Sequence, residues 1–217
     1  MGKSVASRRR KAGRPEAGGA DLRETLLDAA IACFVREGIA ATPLRAIARE
    51  ADVTPAMLHY YFGDKEALVQ PLVAQRFLPV LAGMRARVEP DADIATLIRG
   101  FVRGIVQAIG ENPWLPSLWV REVLAEGGAL RDMLVEVVGP QLPRMLALRI
   151  GEAQRKGELP ADIDPELLVT SLIGMTMFPA AGAPVWGRLF QREMDIAALE
   201  RHAIAMLNHG LGLDMEA

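Results

Sequence analysis

Apolar residues recur at spacings of three and four along most of the chain, the period of helices with one buried face. Leu22, Leu26, Leu27, Ala30, Ile31 and Phe34 form the first stripe. Asp21 and Glu24 supply a capping box at its start, and Gly38 a stop at its end. Thr42-Pro43 and Thr54-Pro55 are two further starts, each a capping threonine followed by proline at the first helical position. Asp64 caps a fourth helix, with a kink predicted at Pro71 and an end near Pro79. Asp93 opens a strongly apolar helix, and Asn112-Pro113 opens the next, which Gly127-Gly128 stops. Leu130 to Lys156 is helical with interruptions at Pro140 and Pro143. Asp164-Pro165 begins a helix ending near Phe178, and Arg192 to Leu211 form the last. No alternating run enriched in β-branched residues occurs. The prediction is an all-α protein of about nine helices.

The 21 uncharged residues Leu167 to Gly187 are long enough to span a bilayer. Pro179, Gly182 and Pro184 interrupt them, so a buried helix and no membrane partner are expected. With 51% hydrophobic residues the chain has a core to build and is not a disordered tail. Its single cysteine, Cys33, excludes a disulfide scaffold and fits a small core residue. Residues 1–20 carry a net +5 while the whole chain carries −2, so a basic arm precedes an acidic body. Such an arm is either a solvated tail or a segment that tracks phosphates. The polar N-terminus lacks a secretory apolar stretch, which predicts a cytoplasmic protein.

The segment from Pro43 to Phe62 carries the chemistry. Two helix starts only twelve residues apart require a sharp corner. Ala48 is small enough for the contact, Asp52 tolerates a left-handed backbone at the turn, and Val53 and Leu58 anchor the second helix. That helix would then present Pro55, Ala56, His59 and Tyr60 to a major groove. Tyr61 and Lys65 bracket a helix N-terminus suited to phosphate. A plain corner in a helical core would share the pattern, but the basic arm and the Tyr-Tyr-Phe-Gly-Asp-Lys run favour DNA. Arg14, Thr42, Arg45 and Thr54 complete the candidate DNA-binding set.

Residues 21–70 resemble the N-terminal domain of the tetracycline-repressor-like (TetR) family. The matching residues are Leu27, Asp28, Ala29, Ala30, Phe34, Gly38, Thr42, Ile47, Ala48, Ala51, Val53, Thr54, Leu58, Tyr61, Phe62, Lys65 and Leu68. Asp52 stands where the family has glycine, and His59 where it has tyrosine. The resemblance implies a basic arm over 1–20, a DNA-binding domain over 21–81 with its motif at 43–62, and a helical domain over 90–217 for ligand and dimerisation. It also implies a homodimer through helices at about 165–178 and 192–210, so a charge placed at Leu172 should fall in the interface.

Trp114, Trp119, Met145, Met175 and Phe178 are core-forming types that also line adaptable apolar pockets. Glu122 is either an exposed partner of Arg121 or a polar anchor in such a pocket. No set of nucleophile and base, phosphate loop or metal-ligand spacing is present, so no catalytic site, metal or cofactor is expected. The function expected is a ligand-responsive regulator, most simply a repressor, that binds a palindromic operator and is released by a small apolar molecule. The alternative is a helical carrier or adaptor that binds an apolar ligand without DNA.

Overall fold

The computed structural model describes residues 18–138 and 140–213. Residues 1–17 of the basic arm, including Arg14, fall outside them. The described residues form eleven helical runs and no strand. We number these α1 (Gly18–Glu37), α2 (Leu44–Glu50), α3 (Pro55–Phe62), α4 (Lys65–Ala86) and α5 (Ile94–Glu111). Next come α6 (Leu115–Leu118, continued by a π-helical turn at Trp119–Leu124) and α7 (Arg131–Met133, continued likewise by Leu134–Val138). The last four are α8 (Gln141–Arg155), α9 (Pro165–Ala181), α10 (Ala183–Phe190) and α11 (Ile196–Leu211).

The N-terminal corner is built as its residues dictate. Thr54 caps α3 by accepting from the Met57 amide (3.3 Å), and Pro55 follows at the first helical position. Asp52 sits at φ +54°, the left-handed turn between α2 and α3. Leu58 and Ala48 are fully buried at the contact. Asp52→Val should therefore cost about 1–2 kcal/mol, because a β-branched side chain tolerates this backbone worst. Urea denaturation of the variant is the check, and unchanged stability would contradict a left-handed turn.

Several boundaries differ from expectation. α1 already includes Gly18, so Asp21 lies inside it and forms no capping box; its carbonyl accepts from Thr25 Oγ1 (2.9 Å). Thr42 does not cap α2. It is fully buried and donates from Oγ1 to the Gly38 carbonyl (2.6 Å), leaving Pro43 at the cap position. Pro71 and Pro79 do not end α4, which absorbs them around a π-helical turn at Val73–Phe77 and continues to Ala86. Asn112 closes α5 rather than opening α6, donating from Nδ2 to the Ala108 carbonyl (3.1 Å). α9 passes through Pro179 to Ala181, and a further helix, α10, follows Gly182 where no element was expected.

α5 is the central strut. It buries Ile94, Leu97, Ile98, Phe101, Val102, Ile105 and Ile109, with α4, α9 and α11 packed around it. Gly104 lets α4 come close, since a Cβ there would stand 3.1 Å from the Met84 carbonyl oxygen. Arg76 of α4 pairs with Glu24 (2.7 Å) and Asp28 (2.8 Å) of α1, tying the N-terminal helix to the long one. α4 is also apolar and long enough to cross a membrane, as is the α9–α10 pair, which bends by 66°. Both pack into this core: α4 buries Leu68, Leu72, Val73 and Phe77, and α9 buries Leu168, Val169, Leu172 and Met177. Cys33 is buried, and that burial pushes its thiol pKa up, so it stays a protonated core residue.

Candidate DNA-binding face and effector cavity

α3 turns Leu58 and Phe62 inward and leaves Pro55, Ala56, His59 and Tyr60 exposed. Tyr60 is 82% exposed and stands edge-on to Tyr61, with ring centroids 5.5 Å apart. His59 Nδ1 bonds the Gly63 carbonyl. In the neutral ring a proton held there leaves Nε2 as an acceptor. Arg45 is exposed on α2, and Thr54 is exposed at the start of α3. Lys65 donates from Nζ to the carbonyls of Ala40 (2.7 Å) and Thr42 (3.4 Å), which braces the loop before α2 and leaves a third proton. The N-terminus of α4 is occupied by its own cap, since the Asp64 carboxylate accepts from the Ala67 amide (2.8 Å).

A second feature lies at the far end of α4. A cavity of about 290 Å³ opens between α4, α5, α6, α7, α8 and α9. Leu81, Met84, Phe101, Ile105 and Trp119 line one side. Leu134, Val135, Pro140, Leu142, Pro143, Ile173 and Met177 line the other. None of these side chains carries a charge, and the Trp119 indole is the one polar group among them. Such a surface gains by taking up hydrocarbon and loses by taking up an unpaired polar group.

Residues 26–72 match the family described as bacterial regulatory proteins, tetR family. The HTH-type transcriptional regulator RutR of Escherichia coli (strain K12) is 31% identical over 162 residues, covering 75% of this chain and 75% of RutR. The chain belongs to the tetR family. UidR of the same strain, also an HTH-type transcriptional regulator, is 27% identical over 158 residues, 71% of this chain and 77% of UidR. Two solved structures share the fold of this tetR-family regulator. The ketosteroid transcriptional regulator KstR2 of Mycobacterium tuberculosis has a TM-score of 0.71 at 20% identity, over 93% of this chain and 98% of that one. FadR from Bacillus subtilis in complex with stearoyl-CoA has a TM-score of 0.62 at 18% identity, over 86% and 98%.

The tetR-family chain exposes Pro55, Ala56, His59 and Tyr60 on α3, buries Thr42, and scatters the residues expected at the pocket. Of the six, Trp119 alone lines the cavity. Trp114 packs on Phe77, with ring centroids 6.2 Å apart. Met145 and Met175 are half-buried against the core. Phe178 is 63% exposed, its ring 5.8 Å from that of Trp186. Glu122 is neither an exposed partner of Arg121 nor a cavity group. It is buried and accepts from the backbone amides of Ile39 (2.9 Å) and Ala129 (3.1 Å). The lining residues Phe101 and Ile105 were legible only as core, and nothing in their spacing distinguishes a cavity wall from a filled interior.

Proposed function

We propose that this regulator is a repressor that binds a palindromic operator as a homodimer and leaves it when a small apolar molecule enters the α4–α9 cavity. The observation that carries the reading is one chain with both an exposed α3 face and an uncharged cavity, joined through α4. We place the division between DNA-binding and effector parts within α4, whose first turns touch α1 and α3 and whose last turns pack on α5. A ligand acts only through unequal affinity for the two states, here dimers with differently spaced recognition helices. KstR2 is named for a ketosteroid and FadR was crystallised with stearoyl-CoA, which supports a hydrocarbon-rich effector. The protein would act in the cytoplasm, with no catalytic role.

The dimer is proposed to form through α9 and α11. On α9, Leu167, Thr170, Ser171, Gly174 and Phe178 are exposed along one uncharged stripe at helical spacing. On α11, His202, Ala205, Met206 and His209 are exposed in the same manner. Leu172 is not part of this stripe: it is fully buried within the protomer's own core, so a charge there would test folding and not assembly.

Site selection from a random oligonucleotide pool, followed by mobility-shift titration, tests the reading. Tyr60→Ala should change which bases are preferred, by about 1–3 kcal/mol per affected base pair, because its ring and hydroxyl reach base edges. Lys65→Ala should leave the preference order alone, weaken all sequences alike and lower the salt slope by about 1. Failure of the parent to enrich any sequence would return the chain to the carrier alternative.

A further inference from the structure

We propose that Glu122 is the positioning residue through which the cavity acts on the DNA-binding helices, a role that rests on the effector reading of that cavity. The residue is 4% exposed, and its carboxylate joins segments 83 residues apart. One oxygen accepts from Ile39 N–H (2.9 Å) and the other from Ala129 N–H (3.1 Å), while its backbone carbonyl accepts from Leu130 N–H (2.9 Å).

Both cavity walls converge on this residue. Trp119, a lining residue, lies three positions earlier on the same π-helical turn. Leu130 leads into α7, whose Leu134 and Val135 line the cavity, and Leu134 N–H bonds the Leu130 carbonyl (2.9 Å).

On the DNA side, Ile39 belongs to the short connection from α1 to α2. Gly38 holds φ +86°, and a Cβ there would stand 3.2 Å from Glu122 Oε1 and 3.3 Å from Arg121 Cδ, so the connection is seated directly on α6. Its carbonyls are taken by Thr42 Oγ1 at Gly38 and by Lys65 Nζ at Ala40. The connection, α2 and the start of α4 therefore follow Glu122 together.

Burial makes the link discrete. A buried amide or carboxylate that loses its partner bears its full desolvation cost, so the groups are either joined or fully separated and solvated. Spreading Trp119 and Leu134 apart withdraws the carboxylate from Ile39 and frees the connection. Glu122→Gln keeps the shape but offers one acceptor and sets an amide NH₂ against the other N–H.

The test uses full-length protein, an operator from the selected pool, and 1-aminoanthracene as an uncharged fluorescent cavity probe. In the parent, saturating operator should weaken probe binding about 5–150-fold, the usual range of coupling between linked sites. In Glu122→Gln that ratio should fall to within about twofold of one, with probe affinity of the DNA-free protein little changed; a purely structural role would not move the ratio. Full retention of the ratio overturns the proposal.

Hydrogen exchange of the Ile39 amide in the parent gives a check that needs no variant. It should be protected in the free protein and exchange at least tenfold faster once the probe is bound, and unchanged exchange overturns the proposal. A parent whose probe affinity ignores the operator removes the effector reading and this role with it. A coupled parent beside an equally coupled variant removes this role alone.

Discussion

Phe178→Glu should convert the protein to monomers and lower operator affinity by about 10²–10⁴-fold, the advantage lost when two half-sites are no longer engaged together. Phe178 is 63% exposed at the end of the uncharged α9 stripe, so the protomer accommodates a carboxylate there. The desolvation cost arises only when two copies meet and bury the charge without a partner. Sedimentation should show one protomer, and thermal unfolding should show little change within it. Leu172→Glu is the contrast: its site is sealed inside the protomer, so it should unfold the chain. A stable Phe178→Glu dimer with normal operator affinity would place the interface elsewhere.

Phe77→Ala should cost about 3–5 kcal/mol and lower Tm by about 6–20 °C. Phe77 is fully buried in the π-helical turn of α4 and touches Trp114 at the start of α6. Its removal opens a void between α4 and Trp114, and the close-packed core around it has little freedom to fill that void. Thermal unfolding of the variant followed by circular dichroism gives the measurement. A loss under 1 kcal/mol would mean that the joint relaxes readily.

The corner of α2 and α3 was legible because each requirement is local. Capping at Thr54, a left-handed turn at Asp52 and an inward Leu58 are decided within a dozen residues. The assignments at Thr42, Asn112 and Pro71 went astray for one reason: each residue permits more than one local structure. Thr42 found a better acceptor in the Gly38 carbonyl, and Asn112 found one behind it at Ala108. Pro71 was absorbed because a π-helical turn follows it, an adjustment without a sequence signature.

The cavity was hidden for another reason. A wall such as Ile105 and a core residue such as Ile98 have the same chemistry and the same position in the helical period, and only long-range packing separates them. Glu122 was conspicuous as an acid among apolar residues, yet its partner Ile39 donates a backbone amide, which every residue but proline possesses.

On the proposed effector role, the uncharged lining of the cavity decides which compounds the regulator takes up. With almost no hydrogen-bonding group to satisfy, selectivity rests on volume and contour. Each additional buried methylene is worth about 0.8 kcal/mol, nearly fourfold in affinity, until the space is full. Beyond that point a further methylene either stays in water or overpacks the lining, and the gain stops. A polar substituent buried among these side chains would go unpaired, so polar molecules of equal girth are turned away while apolar isomers of equal girth are separated poorly. Affinity across a homologous hydrocarbon series should therefore rise with chain length and level off once the space is full.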